Sequence, residues 1–192
     1  MPSYIRPLAL DEALKALQAG RLTIIAGATD YYPSRIGQPL DDDVLDITAV
    51  RELRAIEIGD SGVHIGALAT WTDLLNADLP PWFDGLKQCA RELGAVQTQN
   101  AGTIVGNVCN ASPAADGIPC LMSLNAAVLL GAADGTRTVA VDEFVTGRRE
   151  IALRPGEMVT GLDIPAPAHP ARSVFLKLGA RHGDRVVMFL EN

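Results

Sequence analysis

The sequence of 192 residues is poor in metal ligands, with three cysteines (Cys89, Cys109 and Cys120) and three histidines (His64, His169 and His182). The cysteines are odd in number and widely spaced, and no Cys-x-x-Cys pair exists. Neither a zinc site nor an iron–sulfur cluster therefore has ligands at the required spacing in this chain. The same count argues against a disulfide framework and for buried, reduced thiols. Long apolar runs are missing too, since no stretch approaches the roughly 18 residues of a membrane-spanning helix. Positive charge is in deficit: 16 Lys and Arg stand against 23 Asp and Glu, a net charge of −7. Such a chain gains nothing from counterion release at a phosphate backbone, which excludes nucleic acid as a partner and leaves the charge to serve solubility. The first twenty residues lack the basic region, apolar core and cleavage site of a secretory signal, and Asp11 and Glu12 come early, so a cytoplasmic protein is expected.

Hydrophobic residues make up 48% of the chain, enough for a substantial core. DEALKALQAG reads as an amphipathic helix with Ala13, Leu14 and Leu17 on one face and Gly20 as its C-terminal cap. LTIIAG and VLDIT read as buried, perhaps parallel, strands, which makes the first fifty residues a small α/β unit. The remainder is dominated by strands joined in hairpins. RAIEIGDSGVHIGALA and AVLLGAADGTRTVAV alternate on either side of turn residues. Thr70 caps WTDLLN with Asp73 in an acidic variant of the capping box, Pro81 opens a helix that runs to Leu93, and Gly94 stops it. Residues 102–116 read as a loop, after which Pro113 opens a helix to about Leu124. DEFVTGRREIALRPGE is irregular with a short helical start, MVTGLDIP and SVFLKLGA are strands, and PAPAHPA is a surface connection.

Two small-residue loops share one physical logic: AGATD (Ala26 to Asp30) directly after a strand, and AGTIVGN (Ala101 to Asn107). Small side chains let backbone approach a ligand closely, and successive N–H groups can form a nest for an anion such as a pyrophosphate. Thr29, Thr103 and Asn107 add polar groups. Taken alone, either loop is equally well a tight turn at a strand end. Neither carries G-x-G-x-x-G or a Gly-Lys-Ser/Thr. Ser112 can cap the helix at Pro113 and lacks a G-x-S-x-G context, so a hydrolase triad is not indicated. Asp116 is either an acceptor for ligand hydroxyl or N–H groups or a solvated first-turn acid. Lys177, in an apolar strand, either snorkels or pairs with an anion. Arg148, Arg149 and Arg154 read as charged surface.

In order along the chain, IIAGATDYYPSRIG, NAGTIVGNVCNASPAADGIPCLMSLNAAVLL, RPGEMVTGLDIP and FLKLGAR resemble the landmarks of the FAD-binding subunit or domain of the molybdenum hydroxylases, the family of xanthine dehydrogenase and the medium subunits of carbon monoxide dehydrogenase-like enzymes. The resemblance covers about Arg6 to Arg181. It implies an α+β class and the two-part FAD-binding (PCMH-type) fold of vanillyl-alcohol oxidase-like proteins. A small α/β part (about 1–52) would precede a larger antiparallel part (about 53–172), and residues 173–192 would be the truncated start of a C-terminal domain. The implied cofactor is noncovalent FAD. Ile24, Ile25, Ala26, Gly27, Ala28, Thr29, Asp30 and Tyr31 would wrap its diphosphate. Thr103, Ile104, Val105, Gly106 and Asn107 would form a second wall, with Ser112 near it. Asp116 would hydrogen-bond the cofactor, and Leu93, Val159 and Lys177 align with further contacts. No catalytic side chain and no metal ligand is implied.

One departure is Val105, which stands where many relatives have the first glycine of a TIGGN motif. If that position needs a positive φ, a β-branched residue is strained there. The role implied is that of an electron-transfer oxidoreductase subunit. A molybdenum cofactor and [2Fe–2S] clusters would reside on a molybdopterin subunit and an iron–sulfur subunit, and electrons would pass through FAD to NAD⁺ or another acceptor. A free-standing flavin oxidoreductase of the same fold, or a cofactor-free interaction domain, are the alternatives left by the sequence.

Overall fold

The computed structural model describes residues 2–177 and the strand Val186–Glu191. The first part holds strand β1 (Tyr4–Ile5), helix α1 (Leu10–Ala19), β2 (Thr23–Ile25) and β3 (Val44–Asp46). β3 lies between β1 and β2 and is parallel to both, with Tyr4 and Thr23 each opposite Val44. Its central place explains why all three of its residues are buried, whereas only Ile25 of β2 is. β2 is thus a strand as expected but half-buried, because one side of it faces a cleft. α1 buries Ala13, Leu14 and Leu17. Its first turn is satisfied by carboxylates: Glu12 accepts from Leu8 N at 3.0 Å and Glu52 from Leu10 N at 2.6 Å. Gly20 follows it with φ 175°, extended backbone open to any residue, so the expected left-handed cap is absent.

The second part begins with the hairpin β4 (Ile56–Gly59) and β5 (Gly62–Gly66). Five helices then intervene: α2 (Trp71–Asn76), α3 (Asp84–Glu92), α4 (Val96–Ala101), α5 (Ile104–Asn110) and α6 (Gly117–Ser123). The hairpin β6 (Ala127–Ala132) and β7 (Gly135–Ala140) follows, then α7 (Val141–Phe144), the small hairpin β8 (Val145–Gly147) and β9 (Glu150–Ile151), and the long β10 (Met158–Pro165). β4, β5, β10, β6 and β7 form one antiparallel sheet in that order. β11 (Arg172–Lys177) pairs with β12 (Val186–Glu191). β11 is fixed to α3, where Ser173 Oγ accepts from Gly85 N at 2.8 Å and Gln88 Oε1 from Phe175 N at 2.9 Å.

Local signals held where they were self-contained. Thr70 Oγ1 accepts from Asp73 N at 3.1 Å and Asp73 Oδ2 from Thr70 N at 2.9 Å, a complete capping box. Pro81 opens a 3₁₀ turn, Pro81–Phe83, that leads into α3, and Gly94 adopts φ 58° behind it. The span 102–116 differs from expectation, since residues Ile104–Asn110 of it form helix α5. Ile104, Val105 and Val108 lie on the buried side of this helix, an i, i+1, i+4 stripe that pays for its formation against the core. The helix expected from Pro113 begins only at Gly117. Ser112 Oγ accepts from Ala114 N at 3.3 Å inside a turn and caps no helix. The reason is Ala111, whose left-handed backbone (φ 43°) ends α5 and directs residues 112–116 into that turn.

One core joins both parts, with Trp71, Phe83, Phe144, Leu45, Leu121, Leu130 and Leu162 all fully buried in it. The RPGE turn before β10 also has a structural reason. Glu157 accepts from Arg137 Nε at 2.6 Å and NH2 at 2.7 Å and from Arg154 N at 2.8 Å, which ties the turn to β7. Arg137 holds the Glu157 carboxyl below its ordinary range. At Thr160 a bulge interrupts the register of β10 with β6, beside the cleft residue Val159.

Candidate functional site

A cleft of about 680 Å³ opens between the two parts. One wall is the end of β2 and the loop after it, from Ile24 through Ala26, Gly27, Ala28 and Thr29 to Tyr31. The other is α4, α5 and the connection between them, with Leu93, Ile151, Leu153 and Val159 at its edges. A second hollow of about 710 Å³ adjoins it, sharing Leu93, Asn107 and Asn110 and adding Ser112, Asp116 and Lys177.

The walls meet through glycine. A Cβ on Gly27 would fall 1.9 Å from the Ala101 carbonyl oxygen, and one on Gly102 would fall 2.8 Å from Thr98 O and 3.3 Å from Thr29 Oγ1. These glycines therefore let the two walls touch each other, beyond any approach they allow to a ligand. The second wall is pinned further by Ile104 N donating to Ala69 O at 3.1 Å and Trp71 N to Gly102 O at 3.2 Å. Thr103 caps α5, accepting from Gly106 N at 2.9 Å. That N–H is consequently engaged and is not part of an anion nest. Val105 is buried at 4% exposure and sits in α5, and its φ is not positive, so a β-branched side chain is accommodated where a strained loop had been considered.

Of the residues singled out from sequence, Ile24, Ile25, Ala26, Gly27, Ala28, Thr29, Asp30, Tyr31, Leu93, Thr103, Val105, Gly106, Asn107 and Val159 line the main cleft. Ser112, Asp116 and Lys177 line the adjoining hollow. Ile104 is fully buried in the core and lines neither. The Gly179 and Arg181 end of the FLKLGAR landmark lies outside the described residues. Lys177 Nζ pairs with Asp116 Oδ2 at 2.7 Å, both side chains nearly buried, so the lysine is neither snorkelling nor free for a ligand anion in this arrangement. Asp116 Oδ1 and Asn107 Oδ1 are buried without a hydrogen-bond donor among the described residues. Two buried acceptors lacking donors are costly unless something that enters the cleft donates to them.

Several lining residues escaped sequence reading. Arg35 lies over the Tyr31 ring at 3.9 Å and pairs with Asp42 at 2.8 Å. Burial and then Asp42 raise the Tyr31 phenol above its ordinary value. Trp71, Thr98 and Cys109 line the inner surface. Burial pushes the Cys109 thiol up to about 12, so it stays protonated and unreactive at neutral pH. Arg149, read as surface, reaches the cleft mouth and bonds Asp30 at 2.8 Å and Asn110. No spacing rule could have joined residues 119 positions apart.

Comparison with known proteins bears directly on this arrangement. A family model described as the FAD binding domain in molybdopterin dehydrogenase matches residues 1–167. The glyceraldehyde dehydrogenase medium chain of Sulfolobus acidocaldarius is 35% identical over 185 residues, covering 95% of this chain and 66% of its own. The nicotinate dehydrogenase FAD-subunit of Eubacterium barkeri is 34% identical, covering 93% of this chain and 63% of its own. This chain thus spans a little under two thirds of the length of these curated relatives. Among solved structures, carbon monoxide dehydrogenase from Hydrogenophaga pseudoflava superposes with a TM-score of 0.85 at 28% identity, over 95% of this chain and 65% of that one. The α+β, two-part fold expected from the resemblance is the fold observed.

Proposed function

The chain belongs to the family of FAD-binding domains of molybdopterin dehydrogenases, and from that premise we propose that it holds FAD noncovalently in the cleft between its two parts, as the electron-transfer component of a molybdenum hydroxylase complex. The observation that carries this reading is the pair of buried acceptors, Asn107 Oδ1 and Asp116 Oδ1, that no group among the described residues satisfies. A ligand rich in hydroxyl and N–H donors answers both, and FAD is such a ligand. The loop Ala26–Tyr31 would enclose the diphosphate, Thr103, Val105, Gly106 and Asn107 would form the facing wall, and Leu93 and Val159 would shield apolar ring surface from water. Lys177 would hold the Asp116 carboxylate in place as an acceptor.

Bound there, FAD would supply the redox chemistry, between [2Fe–2S] clusters on a partner subunit and NAD⁺ or another acceptor. The molybdenum cofactor would sit on a third subunit, and the complex would work in the cytoplasm. Among the described residues, no side chain of the cleft forms an acid–base pair or an activated nucleophile, which fits a role of holding and insulating a cofactor. We further propose that a following domain begins near Ser173. Because Ser173 and Phe175 are buried against α3, that domain would be docked on this one, and a chain ending at residue 172 should unfold at lower temperature.

The absorbance spectrum of the purified protein, before and after addition of FAD, tests the main reading. A flavin spectrum approaching one FAD per chain is expected, and a colourless protein that takes up none overturns it. Co-purification of an iron–sulfur subunit tests the complex.

A further inference from the structure

We infer that Arg149 is a positioning residue of the cleft, a latch that ties the loop Ala26–Tyr31 to the end of α5 and so governs how fast the dinucleotide leaves. The inference rests on the FAD reading for its second half only. Arg149 sits in the turn between β8 and β9, and its guanidinium NH1 donates to Asp30 Oδ2 at 2.8 Å and to Asn110 Oδ1. Its backbone N–H donates to Ala111 O at 2.9 Å. One residue therefore joins three segments at the mouth of the cleft. Among the described residues, its bond to Asp30 is the hydrogen bond that carries a side chain of this loop across to the opposite wall.

The energetic balance argues that this arrangement serves the cleft rather than the fold. Arg149 and Asp30 are about half exposed (50% and 54%), and ion pairs in water contribute little to stability. Arg149 nevertheless holds φ 60°, and Ala111, which it contacts, holds φ 43°. Left-handed backbone at residues with a Cβ is unfavourable, and glycine would remove that cost at either position. Two strained residues facing one another to support a weak surface pair make poor sense as structural bracing. They make sense if the loop must be held against α5 and still be able to open.

Three single variants of the full chain, Arg149→Ala, Arg149→Lys and Asp30→Asn, and the double variant Arg149→Ala with Asp30→Asn test the latch. In the ligand-free protein, hydrogen exchange at the amides of residues 26–31 should rise about tenfold in Arg149→Ala. Asp30→Asn should raise it similarly, the double variant should add nothing further, and Arg149→Lys should fall between. Thermal unfolding should barely move. In the FAD-loaded protein, FAD released on dilution and followed by its fluorescence should leave roughly tenfold faster from Arg149→Ala, with the association rate nearly unchanged. Unchanged loop exchange in Arg149→Ala overturns the latch, and unchanged release overturns its control of the ligand. A wild-type chain that takes up no FAD overturns the underlying reading, and the ligand-free exchange then still decides the latch.

Discussion

The loop Ala26–Tyr31 and helix α5 face one another across the cleft, but they are held in place by different means. α5 is set into the core through Ile104, Val105 and Val108, capped by Thr103 and pinned to Ala69. The loop buries almost nothing of its own. Its backbone rests on Ala101 and Gly102 at Gly27, Ala28 holds φ 52°, and Asp30 is exposed apart from Arg149. A wall formed by packed side chains keeps its shape without a ligand. A wall held across the cleft by backbone contact and one cation can move, and on the proposed FAD reading recognition would fall to α5 and admission to the loop.

Four changes probe that contrast. Gly27→Val should have the largest effect, because its Cβ would meet backbone that cannot rotate away. The walls must separate, at a cost of about 3 kcal/mol or more, with FAD uptake lost; thermal unfolding and FAD titration check this. Next is Glu157→Gln, in the second part, which should cost about 2 kcal/mol by weakening the Arg137 fork. Glu157 has a folded pKa below its ordinary 4.5, so its contribution is complete above that value and is lost as pH falls through the folded value. Wild-type stability should therefore drop below pH 4.5, and Glu157→Gln should flatten that part of the profile in urea unfolding at several pH values.

Gly106→Val is expected to be milder than Gly27→Val, since the added atoms meet Thr103 Oγ1 at 2.6 Å, the end of a side chain. Displacing that cap should cost about 1–2 kcal/mol and leave the fold intact while FAD retention falls. Equal loss of stability in the Gly27 and Gly106 variants would break the comparison of the walls. The smallest effect separates Arg149→Gly from Arg149→Ala. Both lose the guanidinium, yet glycine relieves the left-handed backbone and should be more stable by about 1 kcal/mol.

What the sequence disclosed follows from how local each cause is. The Thr70 and Asp73 capping box spans four residues and was readable. So were the hairpins, whose turns and alternation lie side by side. α5 was missed because its glycine and two asparagines look like loop, although the Ile104, Val105, Val108 stripe was present. Ser112 misled because Ala111 turns left-handed with no residue type to announce it. Arg149 was invisible as a site residue for the same reason, its φ of 60° having no glycine or asparagine to mark it. Motif order located both walls of the cleft, but it could not show that Gly27 serves contact between them.

The contacts that shut the cleft also bear on how the chain folds. Gly27 meets Ala101, and Asp30 meets Arg149, 119 positions further on. Loop closure on that scale is slow relative to hairpin formation. The β6–β7 hairpin, with two residues between its strands, needs no distant partner to start. The cleft must then close after its walls exist, and pulsed hydrogen exchange during refolding should protect β6 and β7 before residues 26–31. A newly made chain would pass through a stage in which the nucleotide can enter freely, before the first loop arrives to enclose it.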